Sequence, residues 1–359
     1  MALVVFIFPL ASLAQTNSDK LFEAKVQKVL EEKITQENGF KNFQQNLKLI
    51  GLNGDYKDQE FIYYGISDIG VISNSRYQEG DRVMVNSTIN DEDQEVFYVL
   101  DYIRREWLYL LAFIFALLVI LVGGWKGVKS LISLLITFFI IMWLIVPQIL
   151  AGYNPLLVGL FGSFLILIFI IYLTDGVNKK SHVAIASILV SLIFTALLSI
   201  LFTNLLRLSG TSQEEASYLI SLGLGAINFK GLFLAAIIIG ALGVLDDVVV
   251  GQVEAVLQIK EANPNLSKKQ LFKMSSKIGN AHLGAVINTL FLAYVGASLP
   301  LLLLFSLKTP PFIGYAQVIN NEAIVVEIVR AFVGSIGLTL AIPIATILAI
   351  VFLTNKKIK

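Results

Sequence analysis

From Trp107 onward the chain is a succession of long apolar runs separated by short polar connections. A helix rises about 1.5 Å per residue, so about 20 apolar residues cross the roughly 30 Å hydrocarbon layer of a bilayer. On that measure the sequence predicts about seven transmembrane helices, at about 107–123, 131–150, 156–174, 183–204, 231–251, 282–306 and 328–353. A backbone in lipid has to satisfy its own polar groups, so the fold class expected is a polytopic α-helical bundle. Its expected partner is the lipid bilayer.

Charge marks a boundary near Glu106. Between Gln15 and Glu106 there are 17 Asp and Glu against 11 Lys and Arg. The whole chain is only 15% charged, where soluble domains carry about a quarter. This predicts an exported domain over 15–104 and a transmembrane domain over 105–359. A net charge of +1 with no basic cluster in the polar part argues against a nucleic-acid partner. With no cysteine, disulfides, thiolate chemistry and Cys-ligated metals are excluded.

The start, "MALVVFIFPLASLAQTNSDK", has an apolar core followed by Ser12-Leu13-Ala14, a small-x-small pattern suited to signal peptidase. Residues 1–14 are therefore expected to be a signal peptide or its remnant, and either form exports the polar domain behind it. That domain reads as small and β-rich. "LFEAKVQKVLEEKI", "NFQQNLKLIGL", "QEFIYYGISDI", "GDRVMVNST" and "QEVFYVLDYI" are read as strands, most of them short and rich in β-branched and aromatic residues, and parted by turn formers. Such a set suits a barrel or sandwich.

Lysines orient the helices. Twelve follow the first, third, fifth and seventh spans, from Lys126 to Lys359, and the opposite connections carry few. By the positive-inside rule the lysine side is cytoplasmic, which puts the N-terminal domain outside and the C-terminus inside a cell membrane. Two connections have features of their own. "ASYLISLGLGAINF" is apolar but too short to span, so it reads as interfacial or re-entrant. Ser267 with Gln270 forms a capping box that starts a helix leading into the sixth span.

The ionisable residues inside the spans are the candidate functional groups. Projected at about 100° per residue, Ala236, Gly240, Gly243, Asp247, Gly251 and Glu254 share one stripe of the fifth span, with Asp246 about 100° away. Small residues let a neighbouring helix approach, so Asp247 is expected to face protein and Asp246 to border water. His282, Thr289, Ala293, Gly296 and Pro300 share a face of the sixth span, and Glu327, Arg330, Gly334, Gly337, Ala341 and Ala345 one of the seventh. Three such seams predict a tight three-helix core, with Asp247 level with His282 near the cytoplasmic face and a Glu327–Arg330 pair near the outer one. A carboxylate opposite an imidazole can exchange a proton near neutral pH. No two of the acids and His282 share an i, i+4 metal spacing, so no metal and no cofactor is implied. A nucleophile elbow, a P-loop and a dinucleotide fingerprint are lacking, and no enzyme activity is expected.

"GALGVLDDVVVGQVEAV", "IGNAHLGAVINTLFLAYVGASLPLLLLF" and "EIVRAFVGSIGLTLAIPIATILA" together resemble the YibE/F family of bacterial multi-pass membrane proteins. The motif positions here are Asp246, Asp247, Gln252, His282, Asn288, Thr289, Tyr294, Ser298, Pro300, Glu327 and Arg330. The resemblance implies the architecture and leaves the chemistry to the residues. Those residues favour a transporter or permease subunit for a small solute or ion, with Asp246, Asp247, His282 and Glu254 in its pathway or gate. Gln252, Asn288, Thr289, Tyr294, Glu327 and Arg330 then form its polar core. The alternative is a non-transporting envelope assembly or sensing factor that binds a partner protein through residues 15–104.

Overall fold

The computed structural model describes residues 20–37, 40–66, 75–90, 93–308, 310 and 312–354. The signal-like residues 1–14, the last three lysines and part of the "GISDI" segment lie outside them. Contacts divide the chain into two compact units, Met1–Leu118 and Val119–Lys359.

The first unit is built on one antiparallel sheet. Its strands are β1 (Lys20–Glu37), β2 (Phe40–Gly51), β3 (Glu60–Tyr64), β4 (Arg82–Ile89) and β5 (Glu95–Tyr102), in the order β3-β2-β1-β4-β5. Alternation decides what goes inside: Phe22, Ala24 and Val26 of β1 and Val83 and Val85 of β4 point to one buried face. Ala24 pairs with both Gly51 and Val83, which sets the register at the centre of the sheet. Register shifts in β1 after Val26 and Val29 bend it, as bulges do. The sheet thereby curls until its edge strands meet through side chains, with Phe61 of β3 and Phe97 of β5 at 4.4 Å between ring centres. Phe22 and Tyr56 stack beside them at 4.3 Å. The outcome is an incompletely closed small barrel. Beyond it β1 and β2 run on as a hairpin, braced where Gln45 donates to the Tyr77 carbonyl and accepts from the Tyr77 amide.

Helix α1 (Arg105–Ile140) leads through a π-helical turn (Ile141–Ile145) into α2 (Val146–Leu150), a 46-residue apolar stretch. In the first unit its opening turn is tied to β1, where Arg105 holds the buried Glu23 carboxylate with two hydrogen bonds of 2.6 and 2.8 Å. Gly124 interrupts this stretch with φ 53° and ψ −134°, a conformation open to glycine. In the second unit a Cβ on Gly127 would meet the Val119 carbonyl, although eight residues of straight helix would separate them by about 12 Å. The helix is therefore sharply bent there.

The remaining helices are α3 (Pro155–Asp175), α4 (Lys179–Leu205), α5 (Glu214–Ser221), α6 (Phe229–Ala262), α7 (Lys268–Ala297), α8 (Leu299–Ser306), α9 (Tyr315–Ile319) and α10 (Glu322–Leu353). Among the described residues six helical stretches are long and apolar enough to cross a membrane: the α1–α2 stretch, α3, α4, α6, α7 and α10. The Ser267–Gln270 capping box starts α7 as the sequence predicts. The sixth span ends earlier than expected, because the helix breaks at Ser298, ahead of Pro300, and restarts as α8. Asn154, Asn178, Asn228 and Asn321 cap α3, α4, α6 and α10.

The core of this unit is not the three-helix group that the seams predict. α10 packs most extensively on α4 and then on α6, while α7 lies at the margin. What admits α4 is a stripe of Ser187, Ser191, Thr195, Ser199 and Thr203, all fully buried and four residues apart. The first four hydroxyls donate to carbonyls one turn back, at 2.7–2.9 Å, so these four need no outside partner, while the Thr203 hydroxyl is buried without one among the described residues. Gly337 of α10 fits against Thr195 so closely that a Cβ there would overlap its hydroxyl. On α10 the seam of Gly334, Gly337, Ala341 and Ala345 is buried.

Candidate functional site

On α6 the bulky residues Leu242, Leu245, Val249, Val253 and Val256 turn inward. The small-residue stripe is left on the other side: Ala236, Gly240, Gly243 and Gly251 are exposed, and a Cβ at Gly243 or Gly251 would meet nothing within 4 Å. The expectation that this seam closes against a neighbour is corrected. Burying the large aliphatic face gains more contact than burying glycines, and Gly243 and Gly251 then border open space.

Asp247 meets His282 as expected, but the two aspartates differ from expectation in exposure. Asp247 is exposed, and Asp246 is half-buried with its Oδ1 enclosed and without a hydrogen-bond partner. Asp247 lines a cavity of about 330 Å³ between α6, α7 and α10, together with Gln252 and His282. Val248, Ile278, Val286 and Ile342 are among its aliphatic walls. The structure thus brings Asp247 and His282 to one cavity, and among the described residues neither has a hydrogen bond or ion-pair partner.

Gln252 anchors the cavity. It is 4% exposed, and its amide donates to the Ser275 carbonyl of α7 at 3.0 Å and to the Thr346 hydroxyl of α10 at 2.8 Å. One side chain therefore ties three helices. Gly279 allows this, since a Cβ there would lie 2.7 Å from the Gln252 Oε1 and 2.5 Å from Ile342.

Glu254 does not line this cavity. It accepts from Lys180 of α4 at 2.7 Å and from Gln258 at 3.1 Å. Lys180 also lies 4.0 Å from Asp175, so it bridges the ends of α3 and α6. Lys180 and Asp175 were not singled out from the sequence as site residues. The adjacent Lys179-Lys180 pair in a connection that opens a span was the available signal.

Toward the other end of α10, Arg330 lies 3.2 Å from Glu327, and Gln213 donates to Glu327 at 3.3 Å. The guanidinium sits 5.8 Å from the ring centres of both Phe233 on α6 and Tyr294 on α7. Tyr294 and Glu327 line a second cavity of about 180 Å³. The Tyr294 hydroxyl lies 3.0 Å from where a Gly240 Cβ would be. Asn288 and Thr289 are exposed and line neither cavity, and the Thr289 hydroxyl bonds back to the Ala285 carbonyl at 2.9 Å.

A family model described as YibE/F-like protein matches residues 111–355. The chain belongs to the YibE/F-like family. The matched residues take in both cavities and every span after the first few residues of α1. No curated protein and no solved structure matches the chain. The YibE/F-like assignment therefore carries the helical architecture, and the side chains carry the chemistry.

Proposed function

We propose that this YibE/F-like protein is a transporter or permease subunit for a small solute or ion, with Asp247 and His282 in its pathway. The observation that carries the reading is their meeting in one cavity of about 330 Å³ inside a helical unit long and apolar enough to span a membrane. Ionisable groups at such positions are costly unless they serve a path or pair with one another. Asp246, adjacent to Asp247 on α6, adds to the acidic side of the gate, and Glu254, paired with Lys180, flanks it.

The topology proposed has seven crossings. The bend at Gly124 divides the first apolar stretch into arms of about 19 and 26 residues, each able to cross about 28 Å or more. An odd number puts the N-terminal barrel outside and the C-terminus in the cytoplasm of a bacterial cell, in agreement with the lysine distribution. The protein is read as no enzyme, and its first residues as an export signal.

The test is flux in reconstituted vesicles. The parent protein is expected to carry protons or a small solute across the bilayer, and Asp247→Asn to abolish that movement. An unchanged rate in the variant would remove Asp247 from the pathway. A second reading, an envelope assembly or sensing factor, draws support from the protruding β1–β2 hairpin, where Leu30 and Ile34 are exposed. Full activity after deletion of residues 15–100 counts against it.

A further inference from the structure

We infer that the cavity between α6, α7 and α10 binds an amphipathic organic cation, a single positive charge carried on an apolar body. The inference rests on the transport reading for its site and adds the class of ligand. Three groups give the cavity its polarity: the Asp247 carboxylate, the His282 imidazole and the Gln252 amide. The Gln252 N–H groups are committed to Ser275 and Thr346, which leaves its Oε1 as the end free of protein donors, set against the cavity residue Gly279. Asp247 is an acceptor without a cationic partner among the described residues.

No lysine or arginine is among the residues that line the cavity. Asp247 and the Gln252 Oε1 therefore offer acceptor oxygens, and an anionic solute would meet them with no fixed positive charge to offset the repulsion. A bare metal ion fits poorly as well, because one carboxylate, one imidazole and one amide set among aliphatic walls leave most of its coordination shell empty. A cation with an apolar body meets both halves of the lining: its charge pairs with Asp247, and its body covers Val248, Ile278, Val286 and Ile342. The volume of about 330 Å³ lies at the small end of the roughly 300–1,000 Å³ range of ligand pockets, which limits the body to about one aromatic ring with short substituents.

Benzyltrimethylammonium is a suitable probe, with benzoate as its anionic counterpart of similar size. Titration calorimetry on the full chain in detergent is expected to show binding of the ammonium and none of benzoate. Asp247→Asn is expected to weaken that binding by about tenfold or more. Because Asp247→Asn can disturb folding, Val286→Trp supplies a second variant that fills the cavity and leaves the carboxylate in place; it is expected to lose binding too. Thermal unfolding of each variant identifies any that fails to fold. Binding of benzoate in preference to the ammonium, no binding of the ammonium at all, or binding untouched in both folded variants overturns the inference. Ammonium binding without flux in vesicles overturns transport and leaves the ligand class standing. Flux of an anion with no ammonium binding overturns the ligand class and leaves transport standing.

Discussion

Gln252 of α6 and Thr346 of α10 are joined by a 2.8 Å hydrogen bond, with both side chains buried. The same amide reaches the Ser275 carbonyl of α7, so one side chain links α7 to both α6 and α10. Gln252→Leu is expected to lower stability in detergent by about 1 kcal/mol, the usual size of a hydrogen bond between membrane helices. A double-mutant cycle with Thr346→Ala, read by denaturant unfolding in micelles, is expected to give a coupling of about 0.6 kcal/mol. Zero coupling would show that the two side chains do not act together.

Glycines on α10 and α6 are expected to respond in opposite ways. Gly337→Ala drives a methyl group into the Thr195 hydroxyl across the α4–α10 pair and is expected to cost about 1–3 kcal/mol. Thr195→Ala in the same chain is expected to recover most of the loss. Gly251→Ala meets open space and is expected to be neutral, or to stabilise by up to about 1 kcal/mol through helix propensity. Thermal unfolding of the three variants side by side checks the contrast, and a large loss at Gly251 would show that something unseen covers that stripe.

Arg330 is held by charge and by two rings. Arg330→Leu leaves the Glu327 carboxylate with Gln213 alone and is expected to destabilise by about 3 kcal/mol. Arg330→Lys keeps the charge but loses the planar contact with Phe233 and Tyr294, at a cost of about 1 kcal/mol. The double substitution Glu327→Gln, Arg330→Leu is expected to be less destabilised than Arg330→Leu alone. Unfolding in micelles ranks the three.

In the N-terminal barrel, Ser87 and Tyr56 donate to Glu95 and hold its carboxyl below the ordinary 4.5. Arg76 holds Glu32 below that value by hydrogen bonds of 2.8 Å. Carboxyls lowered in the folded state stabilise fully above the unfolded value, and that contribution disappears as pH falls through the lowered folded value. Hydrogen-exchange protection at β4 and β5, taken relative to the intrinsic rate at each pH, is expected to be constant above about pH 5 and to fall in the acid range below 4.5. Glu95→Gln is expected to flatten the part of that response owed to Glu95. A response of the same steepness in the variant would assign the acid sensitivity to other groups.

The barrel strands and most helices were legible because each is set by local pattern. Val83 and Val85 alternate with less buried neighbours, and the runs that became α3 and α4 match their expected spans within a few residues. The Ser267–Gln270 box is likewise local. The stripe from Ser187 to Thr203 was missed because small hydroxyl residues in a span carry no charge to mark them, and four of these five satisfy themselves within one helix. Gln252 was legible as a polar core residue, but its partners lie 23 and 94 residues away and have no local signature.

By itself the sequence determined that this chain makes an N-terminal sheet followed by long apolar helices, since strand alternation and span length are properties of consecutive residues. Only the tertiary structure decided which side of α6 faces inward. In water, polarity separates the inner face of a helix from the outer one. In hydrocarbon both faces are apolar, and a glycine stripe serves equally for a close contact or for an empty space. The bulk of Leu242, Leu245 and Val249, matched to the neighbouring helices, placed Asp247 at the cavity.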